Sequence, residues 1–151
     1  MISDSKEEKI IWKDLFSISI PINWTFLEDD GVISLFDENC GVGVLQISFA
    51  SKLVDTNSLE DVSIMLAKDF LNQQSYAYDV SIVHFSEMMG NQVSRISFKR
   101  GEDYWNVWHI VKSDNVALIT YNCSIKDFGK EINIYNKILN SFHWVKKRGS
   151  S

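Results

Sequence analysis

The residues of this chain that could do chemistry are few: His84, His109 and His143, Cys40 and Cys123, and three short runs of acids. A thiol beside an imidazole makes a nucleophile, so Cys123 with His109 is the pair to consider. Cys123, however, closes an apolar strand, whereas a reactive thiol sits at an exposed, electropositive helix N-terminus. His109 falls among Trp105, Val107 and Val111, where a hydrogen-bonded, half-buried histidine is the simpler account. No His-x-His, His-Glu-x-x-His or Cys-x-x-Cys spacing occurs, so no metal site is expected. Gly41-Val42-Gly43 lacks a third glycine and leads into a strand, which excludes a dinucleotide fingerprint. No cofactor and no catalytic residue is expected.

The acids stand in Glu28-Asp29-Asp30, Asp37-Glu38 and Glu102-Asp103. All three runs fall in expected hairpin turns, where solvation and turn formation account for them. Were these turns to share one end of a sheet, they would form an acidic rim suited to a basic partner surface. The aromatics are more unusual: five Trp, five Tyr and nine Phe. Trp24, Tyr104, Trp105 and Trp108 are the candidates for a partner-binding patch, since Trp and Tyr are enriched at binding hot spots. Core packing under a helix competes with that reading. Trp105 and Trp108 point to opposite sides of their strand, so one exposed patch can hold only one of them.

The elements that would position these residues can be read along the chain. A length of 151 residues with 45% apolar and 23% charged residues fits one ordinary globular domain. One proline and seven glycines leave no linker. Residues 1–13 read as a charged lead-in with a short helical turn at Glu7 to Trp12, residues 14–145 as the domain, and 146–151 as a basic polar tail. Phe16, Ile18 and Ile20 alternate with serines, the mark of a half-buried strand. Pro21 ends it and the chain turns into Trp24-Thr25-Phe26; strands at Val32–Phe36 and Val44–Ala50 follow, and the three strands, joined by short turns, make a meander. Past the polar loop at Lys52 to Asn57, Leu59, Val62, Leu66 and Phe70 recur at helical spacing, with Ser58 as N-cap and Asp61 as its capping-box acid. Four more hairpin strands occupy Val80–Phe85, Val93–Lys99, Tyr104–Lys112 and Val116–Cys123, and a closing helix runs from about Lys130 to Phe142.

The strand Tyr104–Lys112 is apolar on both faces. A sheet with one wet face would alternate cleanly. The middle of this sheet is therefore expected to be covered on both sides, and two helices are available to do it. The fold class that follows is α+β: a meander-rich antiparallel sheet of six to seven strands with two main helices.

The opening Phe16-Ser17-Ile18-Ser19-Ile20-Pro21-Ile22-Asn23-Trp24, then a helix, a run of hairpins and a C-terminal helix, resembles the PsbP-like and DcrB-like α+β domains. The resemblance covers nearly the whole chain as an order of elements, and Ile20-Pro21-Ile22-Asn23-Trp24 is its local motif. It implies a binding or assembly role without enzymatic chemistry and carries over no functional residue.

A net charge of −5 argues against nucleic acid as a partner, and the single basic run is Lys146-Lys147-Arg148. No stretch approaches the ~20 apolar residues needed to cross a bilayer. Met1 to Lys9 lacks the apolar core of a signal peptide, so the cytoplasm is the expected compartment, with both cysteines as buried thiols. The functional expectation is a non-enzymatic protein-binding domain of bacterial type, immunity-, adaptor- or chaperone-like. The alternative is a small-ligand or lipid-binding domain with a pocket between sheet and helix.

Overall fold

The structure is a computed structural model that describes residues 6–51, 59–88, 91–112 and 115–145. Ten strands and two helices follow in the order β1 (Glu7–Trp12), β2 (Phe16–Pro21), β3 (Thr25–Asp29), β4 (Val32–Phe36), β5 (Gly43–Ser51), α1 (Leu59–Asn72), β6 (Tyr78–Met88), β7 (Asn91–Arg100), β8 (Asp103–Lys112), β9 (Asn115–Ser124), α2 (Ile132–Asn140) and β10 (His143–Trp144). The class is α+β, and all pairings are antiparallel. A seven-stranded sheet has the order β3-β4-β5-β9-β8-β7-β6, and a separate three-stranded sheet has the order β1-β2-β10.

Local chemistry sets the hairpins. Asp29 pairs with Val32, and the two residues between them, Asp30 and Gly31, both have positive φ, 52° and 81°. That is the type I′ turn, whose twist matches the strands it joins. Between Arg100 and Asp103 the first loop residue is Gly101, with φ of 61°, the position at which a type II′ turn requires glycine. The expected turns at Met89-Gly90 and Ser113-Asp114, the Lys52–Asn57 loop and the Ser58 cap lie outside the described residues, as do the Asp61 side chain and Lys146-Lys147-Arg148.

The chain start differs from the expected lead-in. Glu7 to Trp12 forms no helical turn but a strand paired in full register with β2. The domain thus includes residues assigned above to the lead-in. At the other end His143 and Trp144 pair with Ser17 and Phe16, and the Val145 N–H donates to the Leu15 carbonyl at 2.8 Å. The small sheet therefore clamps both ends of the described chain around β2.

Phe16, Ile18 and Ile20 point inward from β2 onto one face of the large sheet. There they meet Ile33, Leu35, Leu45, Ile47 and Ile119, with Ile138, Leu139 and Phe142 of α2 and its C-terminal flank, none more than 1% exposed. Trp12, Phe16, Phe49, Phe142 and Trp144 weld the two sheets together, with neighbouring ring centroids 4.9–6.0 Å apart.

The opposite face of the large sheet is covered by α1 over β6, β7 and β8. Beyond the helix that face carries half-buried Ser34, Gln46, Ser48 and Thr120, and the Gln46 amide donates to the Ser34 hydroxyl at 3.1 Å. β8 is the strand covered on both faces: every residue from Asn106 to Val111 is buried, as its doubly apolar sequence requires.

Candidate partner-binding face

The four aromatics singled out by sequence separate into two pairs. Trp24 and Trp108 are 5% and 3% exposed, and both belong to the main core; the Trp108 ring meets Tyr135 edge-on at 5.6 Å. Neither offers a surface to a partner in the folded chain. Tyr104 and Trp105 are half-buried and lie on opposite faces of the sheet. Trp105 stacks on Phe98 at 6.1 Å beside the α1 seam, while Tyr104 meets Phe128 edge-on at 4.4 Å.

Tyr104 is the member of the set that meets an exposed aromatic, Phe128. It shares a register row with Lys99 of β7 and Tyr78 of β6. Tyr78 is 45% exposed and Phe128 50%. The Tyr78 hydroxyl donates to the Gly101 carbonyl at 3.0 Å, which holds the ring against the β7–β8 turn. A hollow of about 570 Å³ lies there, lined by Tyr78, Gly101, Glu102, Ser124, Ile125 and Lys126. Lys99 is held aside by an ion pair to Asp79 at 3.1 Å.

A second hollow, of about 510 Å³, shares Ser124 with the first and carries Asp37, Glu38 and Asp103 on its rim. Two of the three acidic turns thus share one end of the sheet, and Glu28-Asp29-Asp30 stands at the other end. Asp37 has a structural task as well. It accepts the Asn39 and Cys40 N–H groups at 3.1 and 3.2 Å and the Asn23 amide at 3.1 Å. Cys40 sits exposed in this turn, not buried as expected, and Cys123 is buried.

The thiol–imidazole pair is not assembled. Cys123 shares the Tyr104 row, on the face opposite His109, so the sheet itself stands between them. Burial pushes the Cys123 thiol up, and the charges of Asp127, Glu131 and Asp103 act in the same direction. His109 is 4% exposed, and burial pushes its imidazole down to about 4. Among the described residues no group of three or more His, Cys, Asp or Glu could hold a metal ion.

A buried polar pair lies behind the acidic hollow. The Tyr121 hydroxyl donates to Glu131 Oε1 at 2.6 Å, and Glu131 is only 7% exposed. Burial, then this bond and the carboxylate charge, push the Tyr121 phenol well above its ordinary range. Glu131→Ala leaves that hydroxyl buried without an acceptor, a loss of about 1–3 kcal/mol in urea denaturation. Glu131→Gln keeps an acceptor oxygen and is expected to recover most of it. No loss in the alanine variant would mean that the pair contributes nothing to stability.

The seam under α1 is filled by Val62, Ala67, Ile96, Phe98 and Val107, none more than 1% exposed. An apolar hollow of about 520 Å³ lies elsewhere, on the outside of the molecule between Pro21 and Ile134. No helix among the described residues is long and apolar enough to cross a membrane.

No family model and no curated protein matches the chain by sequence. Among solved structures, the solution structure of cyanobacterial PsbP (CyanoP) from Synechocystis sp. PCC 6803 superposes with a TM-score of 0.62. The match covers 95% of each chain at 12% sequence identity. The domain is PsbP-like in fold. A crystal structure from Bacteroides thetaiotaomicron VPI-5482 superposes with a TM-score of 0.56 over 94% of this chain, at 16% identity. The PsbP-like domain spans about half of that second chain, 49%. At these identities the likeness is one of fold, and it carries no site residue across.

Sequence reasoning missed Tyr78 and Phe128. Phe128 follows a 3-10 turn (Ile125–Asp127) in the β9–α2 connection, where no periodicity marks a residue. Tyr78 precedes a register shift in β6, next to Asp79 with its positive φ of 53°, so alternation gives no reading of its face.

Proposed function

We propose that this PsbP-like domain is a non-enzymatic protein-binding module of bacterial type, an adaptor-, immunity- or chaperone-like protein of the cytoplasm. It docks its partner on the sheet end that carries Tyr78, Tyr104 and Phe128. The observation behind this reading is the coincidence there of half-exposed aromatics with a hollow and an acidic rim. Aromatic rings anchor interfaces at little conformational cost. Asp37, Glu38, Glu102 and Asp103 favour a partner whose surface is basic around an apolar centre, and they speed its encounter.

Partner capture with the intact chain from its native lysate tests the reading. A bound protein is expected to lose at least tenfold in affinity to a Tyr78→Ser/Phe128→Ser variant, the loss of roughly one strong anchor. That variant gives up the Tyr104–Phe128 contact and the Tyr78–Gly101 hydrogen bond, so it is expected to lose about 1–2 kcal/mol in thermal unfolding and to remain folded under the capture conditions. Equal retention of the partner by the variant would remove this face from the account.

A further inference from the structure

The seam that holds α1 to its sheet is not continuous. One apolar cluster joins Ala67 to Ile96, Phe98 and Val107, and a separate one joins Val62 to Val111 and Val116. Polar groups occupy the same seam. The Ser94 hydroxyl donates to the Ser63 carbonyl of α1 at 2.8 Å in a fully buried setting. Directly across the strand pair from Ser94 stands His109. Its ring meets Phe70 of α1 edge-on at 6.1 Å, and its Nδ1 is buried without a hydrogen-bond partner among the described residues. The large core, by contrast, lies on the other face of the sheet and takes none of its residues from α1.

Among the described residues the neighbours of His109 offer a positive charge no acid to pair with. β9 sets Leu118 opposite it, and β7 sets Ser94. On α1, Lys68 and Asp69 are exposed. The side chains of Glu60 and Asp61 in its first turn lie outside the described residues. On β6 the residue in the same register row, beyond Ser94, is His84, whose side chain lies outside the described residues. Arg95 and Lys99 belong to the opposite face.

We propose that α1 is an acid-released latch, parting from the sheet at the polar island of Ser63, Ser94 and His109 when the His109 ring takes up a proton. An imidazolium there would be a buried charge beneath an aromatic edge, whereas a parted helix lets water reach it. The sign follows from burial. The latched ring titrates near 4, below the 6.5 of a solvated histidine, so the open form binds the proton more tightly. The contribution of neutral His109 to closure is fully present above pH 6.5 and is lost progressively as pH falls towards 4. Opening uncovers Ile96, Phe98, Val107 and Val111 beside Trp105, an apolar face that the closed domain hides.

Amide hydrogen exchange on the intact chain, corrected for its intrinsic pH dependence, tests the latch. Protection of the α1 amides from Val62 to Phe70 is expected to fall roughly twentyfold between pH 7 and pH 5, with β9 and α2 unchanged. In His109→Phe the α1 response to pH disappears, and His109→Leu serves where the larger ring does not fold. The His109 ring of the wild type, followed by NMR, titrates below pH 5. Loss of protection equal in all elements, α1 exchange that ignores pH, an unchanged response in the variants, or a ring titrating near 6.5 would each overturn the latch.

Discussion

Trp108→Ala is expected to destabilise the domain by about 3–5 kcal/mol, the range for removing a large aromatic from a packed core. Trp108 is 3% exposed, sits on the doubly covered strand β8, and meets Tyr135 of α2 at 5.6 Å. Tyr104→Ala, four residues earlier on the same face of β8, is expected to lose no more than about 1.5 kcal/mol. Its ring is half-buried, and it gives up the Phe128 contact and a 3.3 Å hydrogen bond to Asn106. Urea denaturation of the two variants side by side measures the contrast. Losses of similar size would contradict the division of the aromatic strand into a core half and a surface half. The division matters because a binding assay on Trp108 variants would report unfolding, not contact.

Gly43→Ala is expected to destabilise the domain by about 3 kcal/mol or more. A Cβ at this position would overlap the Tyr121 hydroxyl and lie 2.5 Å from the Asn122 carbonyl oxygen. The first contact can be relieved only by moving the phenol that bonds Glu131 at 2.6 Å, and the second is with backbone. Adding Tyr121→Phe to Gly43→Ala therefore recovers part of the loss and not all of it. Thermal and urea unfolding of the single and double variants check this, and full stability of Gly43→Ala would show that β5 and β9 are not so closely apposed. In the sequence Gly41-Val42-Gly43 reads as a glycine-bearing turn. The requirement at Gly43 arises instead inside the β5–β9 ladder, where it pairs with Cys123.

The parts of the fold legible in the sequence were those where one physical signal dominates. The helical spacing of Val62, Leu66 and Phe70 marks α1, and the turn residues bracket β4, β7, β8 and β9 to within a residue or two. The apolar character of both faces of β8 required cover on each side, and α1 and α2 provide it from opposite faces. What escaped had no such signal. β1 reads Glu-Glu-Lys-Ile-Ile-Trp without alternation because it is an edge strand with no fully buried residue. Its turn into β2 places Lys13 and Asp14 at positive φ, 49° and 52°, where turn chemistry leads one to look for glycine or asparagine. β10 is two residues long and exists through its pairing with β2 alone. Hence one sheet of six to seven strands was expected where a seven-stranded and a three-stranded sheet are found.

The candidate face was legible only in part for a similar reason. Alternation assigns Tyr104 and Trp105 to opposite sides, but it does not say which side a helix covers at that end of the strand. The structure settles it: α1 lies over the Trp105 side, and on the other side Tyr104 meets Phe128 while its hydroxyl is linked through Asn106 to Tyr135 of α2. The acidic rim depended in the same way on which turns fall at one end. β4 runs from the Asp30-Gly31 turn to Asp37, so Glu28-Asp29-Asp30 and Asp37-Glu38 are necessarily at opposite ends.

The central claim is that a partner docks where Tyr78, Tyr104 and Phe128 meet the acidic rim. A photo-crosslinking residue placed at position 128, with position 30 at the far end of the sheet as control, tests it most directly in the native lysate. The account predicts a discrete adduct from position 128 that fades with added salt, as acidic-rim contacts should, and none from position 30. No adduct at 128, or equal adducts at both positions, would contradict it.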